Sequence, residues 1–354
     1  MRQQSSTSNF IQAYGAPWWL PGGNLQTIWP ALMARRTRGP VPAYRRERWT
    51  TPDGDFVDVD FLASEVSAQR PLLVLFHGLE GSSRSHYAEA FADVARRGKL
   101  GYAVPHFRGC SGEINLAPRA YHSGDHEEIG WIMAQLRARH AGPVVAVGVS
   151  LGGNALLRWA AEAGAAASQN VAAVAAVCSP LDLTAGGQAI GRGFNRAVYT
   201  TMFLRTMKPK ALGKWAQHPG LFDREALLQA RDLYEFDRIF TAPVHGFTST
   251  EDYWSRGSAK PHLHRIRIPA LALNAGNDPF VPAASLPRVE EVGPCVTLWQ
   301  PAQGGHVGFP AGRFPAHVLA MPEAVSGWLL QAAGITRSVP QEWPEFPGTV
   351  PAAP

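Results

Sequence analysis

Short apolar runs alternate with amphipathic stretches along most of the chain. Residues 72–76 and 144–147 are continuous apolar runs, which are typical of strands buried on both faces of a sheet. Residues 85–97 and 125–139 carry apolar side chains every three to four positions, which predicts helices. By the same criteria, strands are expected at 102–104, 171–177, 270–273 and 296–298, and helices at 151–163 and 315–331. This order predicts an α/β fold with a mostly parallel central sheet and helices on both faces.

The alternation stops at residues 184–256, where glycine, basic and aromatic residues occur without a strand-like run. A segment of this size between two strands is expected to form an inserted cap. The core is then predicted to consist of residues 46–183 and 257–335. Within the core, residues 46–62 are expected to form a hairpin around the turn Pro52-Asp53-Gly54.

Two terminal segments lie outside this core. Residues 1–45 are predicted to form an irregular arm, and the tryptophans Trp18 and Trp19 indicate that the arm packs on the body. Residues 336–354 contain five prolines and are predicted to form a flexible tail.

Composition narrows the class of protein. The chain has 354 residues, of which 45% are hydrophobic and 17% charged, so it can bury a core. No run approaches the ~18 apolar residues of a membrane-spanning helix, and the polar start lacks the apolar core of a signal peptide. A cytoplasmic protein is therefore expected. Three scattered cysteines without a C-x-x-C pair predict neither a disulfide framework nor a structural zinc site.

The net charge is +5, and six arginines fall within residues 35–48. One interpretation is a patch for anionic lipid or nucleic acid. The other is a solvated loop whose arginines form ordinary ion pairs. The second is favoured, because no aromatic stacking platform or nucleic-acid motif accompanies the arginines. No nucleic-acid partner is expected, whereas a weak contact with a membrane surface stays open.

The residues Gly148-Val-Ser150-Leu-Gly152 match the G-x-S-x-G pattern of a nucleophile elbow. The pattern alone is weak evidence, but here a predicted strand ends before it and a predicted helix follows it. Flanking glycines allow the tight turn that lifts the serine oxygen to a helix N-terminus, where negative charge is stabilised. The alternative is a glycine-rich turn with an idle serine, which the strand and helix disfavour.

A serine nucleophile needs a base, and an acid that orients the base. His306, between glycines after the last predicted strand, is the candidate base, and Asp278, after the preceding strand, is the candidate acid. Asp182 also follows a core strand and is either the alternative acid or a helix N-cap. The backbone N–H groups of Leu79 and Leu151 are expected to bind the oxyanion.

Four further side chains are candidates for contact with a substrate. Phe194, Met202 and Phe203 belong to an apolar stripe at helical spacing in the cap, which either packs the cap on the core or forms an acyl-binding wall. Arg108, in a loop after a predicted strand, either binds a carboxylate or phosphate of the substrate or ties loops together.

Six motifs that occur together are characteristic: Trp19-Leu-Pro-Gly-Gly-Asn-Leu-Gln-Thr-Ile, His77-Gly-Leu-Glu-Gly-Ser, Arg108-Gly-Cys-Ser-Gly, Gly-Val-Ser150-Leu-Gly-Gly-Asn, Tyr234-Glu-Phe-Asp237 and Gly305-His306-Val-Gly-Phe. Over about residues 15–332 the chain resembles the YheT-like α/β-hydrolases, bacterial relatives of the AB-hydrolase domain proteins that act on acyl lipids. The resemblance implies an esterase-like serine hydrolase with Ser150, Asp278 and His306 at the triad positions. One departure is that the family usually has Asp-Asp-Pro where this chain has Asn277-Asp278-Pro279.

These observations predict a serine hydrolase that cleaves carboxylic esters of small molecules or lipids through an acyl-enzyme, without a cofactor or a metal. A second hypothesis is a lipid-directed lipase, phospholipase or acyltransferase that uses the same triad. A third is a non-catalytic binding protein on the same fold, which an intact triad disfavours. No obligate protein partner is evident.

Overall fold

The computed structural model describes residues 14–63 and 66–335, so the predicted tail and the start of the predicted arm lie outside the described residues. Within these residues one eight-stranded sheet has the order β1-β2-β4-β3-β5-β6-β7-β8. The strands are β1 Tyr44–Thr50, β2 Phe56–Leu62, β3 Leu72–Phe76, β4 Gly101–Pro105, β5 Val144–Val149, β6 Ala173–Val177, β7 Ala270–Leu273 and β8 Val296–Trp299.

The sheet is parallel from β4 through β8, and β2 pairs antiparallel with both β1 and β4. The predicted hairpin is confirmed, since Tyr44 lies opposite Leu62 and Thr50 opposite Phe56. Every residue of β3 and β5 is buried. Their continuous apolar runs therefore follow from cover on both faces of the sheet.

Helices cover the sheet from both sides. The helices are α1 Gly22–Leu32, α2 His86–Arg97, α3 His126–Arg139, α4 Leu151–Ala163, α5 Leu183–Ile190, α6 Gly193–Asn195, α7 Thr201–Gln217, α8 Arg224–Gln229, α9 Leu233–Phe236, α10 Ala242–Val244, α11 Thr250–Gly257 and α12 Ala320–Ala332. Helices α3 and α4 contribute to the core on one face, and α2 and α12 contribute to the core on the other. The α/β-hydrolase architecture predicted from the sequence is confirmed.

The prediction of an irregular arm is wrong, because α1 forms within it. The helix buries the polar residues Gln26 and Thr27 together with Pro30. Leu25, Ile28, Trp29 and Leu32 recur at helical spacing, but the flanking prolines and glycines favoured the prediction of an irregular arm. The arm packs on the body, as shown by the hydrogen bond from Trp29 Nε1 to the Pro315 carbonyl oxygen, at 2.9 Å.

The inserted cap lies between β6 and β7, where the described residues form helices and turns and no strand. Its longest feature is a continuous helical run, here called the cap helix, which consists of α6, a π-helical turn at Arg196–Thr200, and α7. A second π-helical turn spans Asp237–Thr241. The cap has its own small core, formed by Leu204, Ala211, Phe222, Leu227, Phe236 and Phe240.

Five of the six arginines within residues 35–48 form ion pairs, which agrees with the favoured interpretation of this segment. Arg46 contacts Asp60 at 2.7 Å and Arg48 contacts Asp58 at 2.8 Å. Further pairs are Arg36–Glu89, Arg38–Glu323 and Arg45–Glu47. Within the described ranges, no helix is both long and apolar enough to cross a lipid bilayer.

Candidate active site

Ser150 occupies the turn between β5 and α4 with backbone angles of φ +53° and ψ −120°. A non-glycine residue at positive φ is strained, and such strain is frequent at functional turns. A Cβ atom at Gly148 would lie 2.4 Å from the Gly152 carbonyl oxygen, and one at Gly152 would lie 2.4 Å from the Phe76 carbonyl oxygen. Both elbow positions therefore require glycine.

His306 connects Ser150 to Asp278 through its two ring nitrogens. Nε2 lies 3.0 Å from Ser150 Oγ, and Nδ1 lies 2.9 Å from Asp278 Oδ2. The Asp278 side chain is fully buried, and its Oδ1 accepts a hydrogen bond from the Phe280 N–H at 2.8 Å. The carboxylate is thus held on both oxygens, which fixes the ring so that Nδ1–H donates to Asp278 and Nε2 accepts from the serine hydroxyl.

The departure at Asn277 leaves the histidine contact intact, because Asn277 faces elsewhere. Its amide Nδ2 donates to Gln26 Oε1 at 2.9 Å, and its Oδ1 accepts from the Gly305 N–H at 3.0 Å. The alternative acid, Asp182, caps the N-terminus of α5, where its Oδ1 accepts from the Ala185 N–H at 3.0 Å. The geometry brings Asp278 to the histidine and places Asp182 in a structural role.

Helix α1 lies directly behind the loops that carry Asp278 and His306. Gln26 Oε1 accepts from the Gly304 N–H at 3.0 Å in addition to Asn277, and Thr27 Oγ1 accepts from the His306 N–H at 2.8 Å. The approach is close, since a Cβ at Gly308 would lie 1.7 Å from the Gln26 carbonyl oxygen. Sequence reasoning quoted the Gln-Thr motif but assigned it no role. The available signal was a pair of adjacent polar residues between the apolar Leu25 and Ile28.

The two backbone amides predicted to bind an oxyanion lie at the same place. Leu79 and Leu151 both line the cleft that contains Ser150. Among residues 14–63 and 66–335, neither amide N–H has a hydrogen-bond acceptor. A Cβ at Gly78 would lie 3.2 Å from the Ser150 Cβ, which shows how closely this loop approaches the serine. Two free N–H groups beside a serine hydroxyl can stabilise a developing negative charge.

His77 holds the loop before Leu79. Its Nε2 accepts from the Phe107 N–H at 3.1 Å, and its Nδ1 lies 2.8 Å from the Gly78 carbonyl oxygen. Burial lowers the pKa of His77 to about 3, so the ring is neutral and Nδ1–H donates to Gly78. His77 is therefore a structural residue that connects two loops at the carboxyl edge of the sheet.

The cleft at Ser150 is mostly apolar and has about 730 Å³ of space, including its part open to solvent. Its apolar lining includes Leu183, Ile190, Phe203, Leu233, Trp254 and Phe280. Of the three predicted wall residues, Phe203 lines the cleft. Phe194 and Met202 are 54% and 51% exposed and do not line it. For these two residues the expected wall position is wrong, because they lie on the outer side of the cap helix.

Arg108 is buried and engaged by carboxylates of the protein. Its Nη1 contacts Asp53 at 2.8 Å and Asp55 at 2.9 Å, and its Nε contacts Glu128. Because three carboxylates of the protein already accept hydrogen bonds from this guanidinium, few of its N–H donors are free to bind an anionic substrate. The contacts favour the second interpretation of Arg108, in which it ties loops together.

Asp237, the last residue of the Tyr234-Glu-Phe-Asp237 motif, also lines the cleft. Its Oδ2 accepts from Trp254 Nε1 at 2.9 Å. Burial raises the pKa of this carboxyl to about 6. The cleft therefore contains a carboxyl, that of Asp237, whose pKa lies within about one unit of neutral pH. In the described part of the chain, no group of three or more His, Cys, Asp and Glu side chains is arranged to hold a metal ion.

Comparisons with known proteins agree with this architecture. Residues 71–312 match the family described as alpha/beta hydrolase fold. The chain is 38% identical to YheT of Escherichia coli, over 92% of this chain and 94% of that protein. It is 29% identical to phospholipase ABHD3 of Mus musculus, over 82% of this chain and 75% of that protein.

Among solved structures, the Pyrococcus furiosus esterase Pf2001 superposes with a TM-score of 0.52 at 14% identity, over 82% of this chain and 92% of the esterase. A likeness at this identity concerns the fold alone. With the family match covering most of the chain and the similarity to YheT extending over nearly all of it, this protein belongs to the alpha/beta hydrolase fold family, in its YheT-like branch.

Proposed function

We propose that this α/β-hydrolase is a serine hydrolase that cleaves carboxylic esters. The observation that carries the proposal is the chain of hydrogen bonds from Ser150 through His306 to Asp278, at 3.0 Å and 2.9 Å, at the mouth of an apolar cleft. A serine, a histidine and an aspartate that are hydrogen-bonded to one another in this geometry perform acyl transfer on unrelated folds.

In the proposed mechanism, Ser150 Oγ attacks the acyl carbonyl carbon while His306 Nε2 accepts the hydroxyl proton. The carbonyl oxygen becomes an oxyanion, which the N–H groups of Leu79 and Leu151 bind. His306 then donates the proton to the departing alkoxide, and an acyl-enzyme ester with Ser150 remains. Water hydrolyses this ester by the reverse proton path, and Asp278 keeps the imidazole in the required tautomer throughout.

Labelling with a fluorophosphonate probe and turnover of p-nitrophenyl butyrate test the proposal together. The Ser150→Ala variant is expected to lose the label and to lower kcat by about 10⁵- to 10⁶-fold, as removal of a triad serine does elsewhere. Ser123→Ala is the matched control, because Ser123 lines the same cleft but does not contact His306. If the Ser150 variant kept the label or most of its turnover, the assignment would fail and a non-catalytic binding role would gain support.

A second candidate function is a lipase, phospholipase or acyltransferase that uses the same residues on a lipid. The apolar lining of the cleft and the similarity to phospholipase ABHD3 support it. Purified protein incubated with phospholipid or monoacylglycerol separates the possibilities. Release of fatty acid supports a lipase or phospholipase, and transfer of the acyl group to an added alcohol supports an acyltransferase.

A further inference from the structure

The cap helix carries two apolar stripes that are offset by one residue. Tyr199, Phe203 and Met207 face inward, where Tyr199 is buried and the other two line the cleft. The second stripe, here called the outer stripe, consists of Phe194, Val198 and Met202, which are 54%, 37% and 51% exposed. Large apolar side chains spaced four residues apart on one exposed helix face form a contiguous apolar patch, unlike apolar residues that are exposed singly.

The segment that contains the outer stripe carries charged side chains of one sign only. Residues 183–222 contain six lysines and arginines and no aspartate or glutamate. Arg192, Arg196 and Arg205 are exposed, and within the described ranges none of them has a carboxylate partner. By contrast, five of the six arginines within residues 35–48 are ion-paired. The cap helix therefore displays three exposed arginines without an ion-pair partner beside the outer stripe.

The outer stripe is fixed beside the catalytic residues. Asn195 Nδ2 donates to the Pro279 carbonyl oxygen at 2.7 Å, one residue from Asp278. Tyr199 donates through its hydroxyl to Asn24 Oδ1 at 2.8 Å, which connects the cap helix to α1. Since Phe203 of the same helix lines the cleft, a surface that contacts the outer stripe lies one helix diameter from the acyl-binding space.

We propose that the outer stripe and its three arginines dock the protein on an anionic lipid surface. A helix with an exposed apolar stripe flanked by basic side chains inserts the stripe at the boundary between headgroups and acyl chains. The arginines add electrostatic attraction to acidic headgroups. Docking would deliver lipid-borne esters to the cleft, but lipid binding itself does not depend on the proposed ester hydrolysis.

Charge favours lipid over a second copy of the chain as the occupant of this face. Two copies of this face would oppose the unpaired Arg192, Arg196 and Arg205 of each copy across the interface. An anionic bilayer provides both the complementary charge and an apolar layer for the outer stripe.

Vesicle sedimentation of the full chain at low salt tests the proposal. Wild-type protein is expected to bind vesicles of phosphatidylcholine containing phosphatidylglycerol, and to bind pure phosphatidylcholine vesicles weakly. Arg205→Gln should lower the partition coefficient about fivefold, as expected for one arginine near an anionic surface. Val198→Glu should lower it about tenfold or more, since a carboxylate replaces an inserted apolar group and repels the headgroups.

Two matched controls make these results specific. Val289→Glu changes a valine that is 78% exposed elsewhere on the surface, and Arg45→Gln removes an arginine that is paired with Glu47. Both should leave vesicle binding unchanged. Turnover of a soluble acetate ester, measured on every variant, separates loss of docking from loss of the proposed catalysis.

Absence of wild-type binding to the anionic vesicles would overturn the proposal. Equal losses in the cap variants and the controls would also overturn it, because the attraction would then be a property of net charge alone. A change in oligomeric state on Val198→Glu, seen by light scattering, would assign this face to a second copy of the chain instead.

Discussion

Helix α1 and the cap helix both contact the loops that carry Asp278 and His306, but they contribute different chemistry. Helix α1 presents polar atoms, since Gln26 and Thr27 accept hydrogen bonds from the backbone of the Asp278 and His306 loops. The cap helix presents apolar side chains, with Phe203 in the cleft wall. Helix α1 thus contacts these loops through several hydrogen bonds, whereas the cap helix adds mainly apolar surface to its hydrogen bond from Asn195 to Pro279.

The difference indicates a division of labour outside the sheet. Directional hydrogen bonds to the loops of Asp278 and His306 should control the rate of the chemical step, because small displacements of reacting groups are costly. Apolar contacts should control which acyl chains bind, because their free energy grows with buried area. Substitutions in α1 are therefore expected to change kcat, and substitutions in the cap helix are expected to change substrate preference.

Among the tests of this comparison, the largest effect is expected at Asp278, the residue proposed to orient His306. Asp278→Asn should lower kcat by about 10⁴-fold, because the amide favours the wrong histidine tautomer. Asp182→Asn should leave kcat within about twofold, since asparagine also caps helices well. Steady-state kinetics on a soluble ester measure both. A larger loss in the Asp182 variant would move the acid to the loop after β6.

The second effect tests α1 directly. Thr27→Val keeps the shape of the side chain but removes the acceptor of the His306 N–H. We expect kcat to fall about 10- to 100-fold with little change in KM, because a small displacement of a catalytic group is this costly. Thr27→Ser should restore most of the rate, since it restores the hydroxyl.

A matched control for Thr27 lies in the cap helix. Thr200 is fully buried, and its hydroxyl donates to the Ile190 carbonyl oxygen at 2.8 Å. Thr200→Val should cost a similar amount of stability in chemical denaturation, about 1 kcal/mol, while kcat on a small ester stays near the wild-type value. If the two valine variants lost the same activity, α1 would be a general stabiliser and the division of labour would disappear.

The third effect concerns the stability of the cap. The pKa of Asp237 is raised to about 6, so the folded protein binds this proton more tightly than the unfolded chain. The resulting stabilisation is present below about pH 4 and is lost as the pH rises through about 6. Relative to Asp237→Asn, the wild-type free energy of unfolding should fall by about 2 kcal/mol between pH 4 and pH 7.

Asp252 provides a contrast within the same region. A backbone hydrogen bond from Thr248 lowers the pKa of this carboxyl. Relative to Asp252→Asn, wild-type stability should therefore change in the opposite direction as the pH rises. If the difference in unfolding free energy between wild type and variant changed in the same direction with pH for Asp237→Asn and Asp252→Asn, burial would not be the cause of the raised Asp237 pKa.

The smallest expected effect distinguishes the two stripes of the cap helix. Phe203→Ala should lower kcat/KM for an octanoate ester about tenfold and leave an acetate ester nearly unchanged, because only the longer chain reaches the wall. Met202→Ala, one position away on the outer stripe, should change neither value. A preference for acetate in the wild-type protein would remove the acyl-wall role of Phe203.

The core elements were predictable from the sequence because their physical signals are local. The strands at Leu72–Phe76 and Ala270–Leu273 and the helix at Leu151–Ala163 have the predicted bounds. Continuous apolar runs, an elbow motif and amphipathic spacing each depend on neighbouring residues only. The last helix begins later than predicted, at Ala320, since residues 315–319 precede it as loop.

The missed features depend on contacts between distant parts of the chain. The position of helix α1 behind the loops of Asp278 and His306 depends on bonds from Gln26 and Thr27 to residues more than 250 positions away. In the cap helix, periodicity identifies apolar stripes at Val198 and Met202 and at Tyr199 and Phe203, but it cannot decide which stripe faces inward. The π-helical turn at Arg196–Thr200 adds to the ambiguity, because it changes the number of residues per turn.

The separation between α1 and its partners has a consequence for biosynthesis. Thr27 precedes His306 by 279 residues. At about 5 to 20 residues per second, the ribosome adds the histidine roughly 15 to 55 seconds after the threonine. The elbow around Ser150 can form on the nascent chain during that interval, but the proposed base, His306, and helix α1 come together only afterwards. The proposed ester cleavage would thus begin as a late event of folding, after most of the chain has left the ribosome.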